Sequence, residues 1–368
     1  MSKKSIFIAA TGQHVGKTTI CLGLIAALKK RYSQIGFIKP VGQQHVKIDN
    51  DIVVDKDTYL FKNHFEMEGD WHPMSPVIIP AGFTRRYFDE NISSEEMLND
   101  IITSYKSIAS LNDYTVVEGT GHVGVGSILD LSNARVASNL GLETVIIASG
   151  GLGSAFDELA INIAMCKEYN VPVRGVILNR VLDEKREMIL NYFPKALDKW
   201  GVPLIGCIPF DPFLSMPTVK DFEGLFQTTL FSGQQHRLRH FDNFRLFAGS
   251  VKAYKREFEP NQLIITPASR EDIIMATLEK HLHTTNNEGV DYGGGMILTG
   301  RHSPSKSIED QMRHVDIPIL YAPMSSYDAM KKITTFIAKI RLEDTEKIQK
   351  AIHLVDQYVD LNQLCQAR

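Results

Sequence analysis

Gly16, Lys17 and Thr18 close the stretch "ATGQHVGKTT", residues 10–19, and together supply what a bound polyphosphate needs. Backbone N–H groups curl around its oxygens, an ammonium sits near the terminal phosphates, and a hydroxyl helps hold Mg²⁺. Three residues separate Gly12 from Gly16 where the usual loop has four, and Ala10 lies one step outside the usual first glycine. The loop can still turn, because Gly12 and Gly16 tolerate positive φ and Ala10 is small. The alternative is a glycine-rich turn whose lysine only faces solvent. Gly12, Gln13, His14, Val15, Gly16, Lys17, Thr18 and Thr19 are therefore the candidate nucleotide contacts.

Four more residues could join them. Glu118 ends the apolar run "YTVVE" and is followed by Gly119 and Gly121, which let a ligand approach the backbone, so Mg²⁺ binding or water positioning is expected of it. Asp55 and Asp57 in "VDKDTYL" offer a second carboxylate, though such aspartates commonly cap helices. Lys39 follows the apolar run "GFI". A lysine there either faces an anion, such as a phosphate or carboxylate, or reaches solvent.

A loop of this kind works only between a strand and a helix. "SIFIAA" reads as a buried strand, and "TTICLGLIAALKKRY" places Ile20, Leu24, Ala27 and Leu28 on one helical face before a basic end. "IGFIKPV", "YTVVEGTG", "ETVIIASGGLG", "VRGVILNR" and "PLIGCIP" repeat the pattern of near-continuous apolar strands separated by helical segments. That is a doubly wound α/β domain with a parallel sheet covered on both faces, over residues 1–215. Between 45 and 92 a short helix near "KDTYLFKNH" precedes a long surface excursion rich in proline, and Ser93 with Glu96 forms a capping box for the next helix. Residues 216–260 mix aromatics and charges without clean periodicity and read as a bridge. Three strand–loop–helix segments follow, making residues 261–368 a second, smaller α/β domain closed by a helix around 343–359.

Composition narrows the partners. The 368 residues are 43% hydrophobic and 23% charged, with a net charge of −3, ordinary for a soluble globular chain and offering no basic surface for nucleic acid or anionic membrane. The four cysteines are scattered, and no run is long enough for a signal-peptide core or a membrane span. A reducing cytoplasm is the expected location.

The loop "ATGQHVGKT", with "GFIKPV" and "VVEGTGH" in the same chain order, resembles dethiobiotin synthetase. With "MSPVIIPAGFTRRYF", "GGLGSAFDEL", "GVILNRV", "LIITPASREDII" and "MILTG", the chain is more similar still to the N-terminal region of the long bacterial phosphate acetyltransferases. In those proteins a dethiobiotin-synthetase-like P-loop domain precedes a DRTGG domain. The resemblance spans roughly residues 5–345, and no remaining segment is expected to hold the acetyltransferase domain. It implies ATP and Mg²⁺ as cofactors, with Thr18, Asp57 and Glu118 as metal ligands. It also implies Lys39 at a substrate carbamate and transferring phosphate, and Asn179 reading the adenine, although an asparagine there is also a common turn former. Departures argue against biotin synthesis: Gly42, Gln43 and Gln44 replace the family's Ser-Gly, and the excursion with Trp71, His72, Arg85 and Arg86 matches no diamino-acid pocket. Arg85 and Arg86 read as solvated charge. In the second domain Ser269, Arg270, Thr299 and Gly300 follow strands, where analogy suggests an effector site and Ser269 reads as a helix cap.

Two functions fit these residues. One is ATP hydrolysis or ATP-dependent activation of an unknown, anionic small molecule. The other is a non-catalytic nucleotide sensor related to the acetyltransferase's regulatory half. A homodimer is compatible with the architecture, and nothing in the sequence marks an interface.

Overall fold

The computed structural model describes residues 4–49 and 52–366. The chain divides into two compact units, Met1–Asp211 with Ile340–Arg368, and Pro212–Lys339.

The first unit runs β1 (Lys4–Ala10), α1 (Lys17–Lys29), β2 (Ile35–Ile38), β3 (Val41–Gly42), β4 (His45–Lys47), β5 (Val53–Asp55), α2 (Lys56–His64), α3 (Trp71–Met74), β6 (Val77–Ile78), α4 (Phe83–Asp89), α5 (Ser94–Leu111), β7 (Tyr114–Glu118), α6 (Asn133–Asn139), β8 (Thr144–Ser149), α7 (Gly153–Glu168), β9 (Val173–Val181), α8 (Asp183–Leu197) and β10 (Leu204–Pro209). Six strands form a parallel sheet in the order β10-β9-β8-β1-β7-β2. The central strands are apolar and buried along nearly their whole length, as a sheet covered by helices on both faces requires. From β1 the chain first builds β2 and β7 on one side, then crosses to β8 on the other. That reversal opens a crevice at the carboxyl end of β1, where open α/β sheets bind ligands. The excursion expected over 45–92 is more ordered than its prolines suggested. It holds a hairpin of β4 and β5, a short β3–β6 pair, and helices α3 and α4, elements too short to leave a periodic signal.

The second unit runs α9 (Val219–Phe226), β11 (Leu230–Ser232), β12 (Asn243–Leu246), α10 (Val251–Arg256), β13 (Gln262–Pro267), α11 (Glu271–His283), β14 (Gly295–Thr299), α12 (Lys306–Arg313), β15 (Ile319–Ala322) and α13 (Ser326–Thr335). Its sheet has the order β11-β15-β14-β13-β12, with only β11 antiparallel. Separate apolar clusters, one around Ile273 and Met312 and one around Phe222 and Ile265, contain its buried side chains. Residues 216–260 are therefore not a bridge: they supply both edge strands and two helices of this unit. Helix α9 starts at a capping box, Thr218 N–H donating to Asp221 at 2.8 Å and Asp221 N–H to Thr218 Oγ1 at 3.3 Å.

The closing helices α14 (Thr345–Tyr358) and α15 (Leu361–Cys365) also correct the expectation, because they belong to the first unit. The apolar side of α14, with Ile348, Ala351 and Val355 buried, covers α1 at Gly23, which allows close approach. A Cβ at Gly23 would stand 2.2 Å from Val355 Cβ. Lys30 and Asp356 pair across the same contact at 2.9 Å. Gly23→Ala is expected to lower stability by about 1–3 kcal/mol through overpacking. By contrast, Gly224→Ala in α9, where a Cβ meets nothing within 4 Å, should raise it by about 0.5–1 kcal/mol. Urea denaturation of the two variants checks both signs.

Candidate functional site

The loop after β1 is shaped by two left-handed residues, His14 at φ +59° and Gly16 at φ +96°. Gly12, expected to share the turn, is not among them; the leftward turn falls on His14 instead. Gly16 is irreplaceable on a second count, since a Cβ there would lie 2.3 Å from Asn179 Nδ2. That amide, from the end of β9, donates to Val15 O at 2.8 Å and ties the loop to the sheet. Gln13 and His14 stand exposed on the rim, Val15 is buried, and Thr19 is half-buried in the first turn of α1.

Lys17, Thr18, Lys39, Asp57 and Glu118 converge at the carboxyl ends of β1, β7 and β2. Lys17 Nζ donates to Gly121 O at 2.8 Å and to Gly12 O at 3.4 Å, bridging the loop and the glycine turn after β7. Burial, reinforced by the nearby Lys39 charge, pulls its pKa down to about 8. Thr18 Oγ1 lies 3.1 Å from Asp57 Oδ1 and 3.4 Å from Glu118 Oε1. Lys39, 4% exposed, donates to Asp57 Oδ2 at 2.7 Å and Glu118 Oε1 at 2.8 Å. Burial opposes its charge, but the two carboxylates outweigh burial and hold it well above the ordinary lysine range. The structure also separates the two candidate aspartates. Asp55 caps α2, accepting from Asp57 N–H at 2.9 Å, which leaves the Asp57 carboxylate turned towards Thr18 and Lys39.

Glu118 is wholly buried. Burial pushes its pKa up, the Asp57 charge adds to this, and Lys39 offsets part of it. The buried Cys21 thiol, one turn along α1, is likewise pushed up by burial and then by Glu118. Among the described residues no hydrogen-bond partner meets Glu118 Oε2, an uncommon state for a buried carboxylate oxygen. That bare oxygen, with the Thr18 hydroxyl and Asp57, is a set of hard oxygen donors suited to Mg²⁺, which takes one or two carboxylates and completes its shell with phosphate and water. Among the described residues no group of three or more His, Cys, Asp or Glu side chains is placed to hold a metal.

Two asparagines that sequence reasoning missed fix the turn after β7. Asn133 donates to Thr120 O and His122 O, both at 2.7 Å, and accepts from Thr120 N–H at 3.1 Å. Asn162 accepts from Val123 N–H at 3.0 Å. Their signal was a polar residue on the inward face of an otherwise apolar helix. Other expectations did not join the cluster. Arg86 pairs with Glu90 at 2.9 Å on the exposed α4. In the second unit Arg270 is taken up by Asp272 at 2.8 Å and by Gly249 O at 2.8 Å. Ser269 is no cap, because α11 begins one residue later, behind Arg270, and no side chain caps it. Thr299 bonds Ser326 Oγ at 2.7 Å, next to Gly300 at φ +125°.

A family model described as an AAA domain matches residues 4–218, more than half of the chain. The chain belongs to this family. Its P-loop domain is of the dethiobiotin-synthetase-like kind, and a DRTGG domain model matches residues 225–336. The phosphate acetyltransferase of Nitratidesulfovibrio vulgaris is 23% identical over 369 residues, covering 98% of this chain and 51% of the relative. The ATP-dependent dethiobiotin synthetase of Nitrosopumilus maritimus is 25% identical over 207 residues, 56% of this chain and 89% of the relative. This AAA-domain chain thus spans about half the length of the acetyltransferases it matches. Among solved structures, the MinD cell division protein of Aquifex aeolicus matches with a TM-score of 0.37 and 20% identity, over 57% of this chain and 84% of that one. No helix among the described residues is long and apolar enough to cross a membrane.

Proposed function

We propose that the first unit binds ATP with Mg²⁺ and hydrolyses it, or uses it to activate the carboxylate of a small anionic substrate. The observation that carries this reading is the convergence of Lys17, Thr18, Asp57 and Glu118 on one buried crevice, with Glu118 Oε2 left unbonded. In this reading Lys17 pairs with the terminal phosphates and the backbone of residues 12–18 cradles them. Thr18, Asp57 and Glu118 hold the metal, which supplies charge neutralisation at the transferring phosphate. Lys39 bridges the two carboxylates at 2.7 and 2.8 Å and offsets their mutual repulsion. Asn179 holds the loop through Val15 and stands beside the nucleoside.

A second reading, nucleotide-dependent regulation, is favoured by the match to phosphate acetyltransferases across both units and by the commitment of Lys39 to carboxylates rather than to an acid substrate. In that case ATP biases a partner through its difference in affinity between two states. Calorimetry with Mg²⁺ and ATP, followed by steady-state ATPase measurements with and without a panel of carboxylic acids, separates the two. Turnover stimulated by an acid supports activation chemistry. Tight binding with negligible turnover supports regulation, and absence of any binding heat removes both.

A further inference from the structure

Lys39 already holds the side chains that the reading above gives to the metal. Its ammonium donates to Asp57 Oδ2 at 2.7 Å and Glu118 Oε1 at 2.8 Å, and the Thr18 hydroxyl lies 3.1 Å from Asp57 Oδ1 and 3.4 Å from that same Glu118 oxygen. Each carboxylate suited to a cation is thus paired with one that belongs to the chain. The fold builds this in. Ile38 of β2 stands in register with Val117 of β7, so Lys39 and Glu118 leave neighbouring strands side by side. Lys39 N–H donates to Met74 O at 2.9 Å, and Asp55 fixes the backbone of Asp57. All three charged side chains are buried. Among the described residues Glu118 Oε2 still meets no donor, so one ammonium does not satisfy the pair.

Charge decides what such a cluster accepts. With both carboxylates ionised, the Lys39 ammonium cancels one of their two charges, so a divalent cation arriving alone leaves a surplus of positive charge. Lys17 adds to that surplus, standing close enough for its charge and that of Lys39 to repel. Uncompensated charge out of water is strongly unfavourable. A polyphosphate removes the objection, because it brings several negative charges to Lys17 and to the backbone of the loop. We infer that Lys39 makes entry of the metal conditional on the nucleotide: the cluster refuses free Mg²⁺ and admits it only together with a polyphosphate. This rests on the nucleotide-binding reading and adds a specificity role for Lys39 at that site. A lysine that merely braces the fold has no such effect on which cation binds.

The test is titration and scanning calorimetry on the full chain with Mg²⁺ alone, ATP with a chelator, and the two together. Wild type should show no binding heat and no rise in melting temperature with millimolar Mg²⁺ alone, and a clear rise with Mg²⁺ and ATP. Lys39→Met drops the charge and keeps an unbranched apolar side chain. It should bind Mg²⁺ alone about tenfold or more tightly than wild type does, with a melting temperature that now rises in Mg²⁺ alone. Adding Asp57→Asn to it should abolish that gain, which places the cation on these carboxylates. Should Lys39→Met be unfolded in chelator, refolding by Mg²⁺ alone is the expected result, and failure to refold counts against the inference. Wild type that takes Mg²⁺ alone as tightly as with ATP, or Lys39→Met that gains nothing over wild type, overturns the inference and leaves the nucleotide site standing. Wild type that binds ATP neither with nor without Mg²⁺ instead removes the nucleotide reading on which it rests.

Discussion

Replacing Lys39 with alanine is expected to destabilise the first unit by about 3–5 kcal/mol, the range for removing one partner of a buried ion pair. The ammonium bridges Asp57 and Glu118 at 2.7 and 2.8 Å with almost no solvent access. Without it two buried carboxylates face each other with the Thr18 hydroxyl as their shared donor, and one of them must take up a proton to remain buried. Urea denaturation of wild type and Lys39→Ala measures the loss. The mechanism makes a second demand. Adding Asp57→Asn and Glu118→Gln to Lys39→Ala removes the repelling charges and should recover a large part of the stability, whereas unrelated destabilisation would only accumulate. A loss below about 1 kcal/mol, the range of exposed pairs, would show that water screens this cluster and that its burial has been misjudged.

That cluster also shows how far the sequence alone could be read. Gly16, Lys17 and Thr18 were legible because a phosphate loop is local: its strand, turn and helix lie within about 25 consecutive residues of β1 and α1. The place of Glu118 at the carboxyl end of a buried strand was legible because an apolar run into glycines marks a strand's end at the sheet's ligand edge. For Lys39 the sequence told half the story. "GFIKPV" left open whether the lysine faces an anion or reaches solvent, and the structure supplies two carboxylates 18 and 79 residues away. Asp55 and Asp57 could not be told apart by composition, since both begin the same helix and only the direction of each side chain decides which one caps it. Helix α14 was visible by its period, yet an amphipathic stripe does not say which core it joins, and the fit of Val355 over Gly23 is a property of two surfaces. The edge strands β11 and β12, at three and four residues, are too short for alternation to rise above chance.

The second lysine of the cluster should behave in the opposite way. Lys17→Ala is expected to weaken ATP binding about a hundredfold, the loss of one or two charge-assisted hydrogen bonds to phosphate. The nucleotide-free protein, however, should be as stable as wild type or more so. The reason lies in its partners: among the described residues Lys17 donates to two backbone carbonyls, at 2.8 and 3.4 Å, and to no side chain, and burial together with the Lys39 charge already lowers its pKa to about 8. A lysine held at such a disadvantage contributes little to folding, and its charge becomes favourable when a phosphate arrives. Scanning calorimetry with and without Mg²⁺ and ATP reads both quantities in one experiment, because a ligand that binds only the folded state raises its melting temperature. Wild type should show the ligand-induced rise; Lys17→Ala should show an unchanged or higher starting temperature with the rise lost at the same ATP concentration. A full rise retained in Lys17→Ala would mean that ATP binds elsewhere on the chain. A collapse in the starting temperature would mean that Lys17, like Lys39, is there to hold the fold.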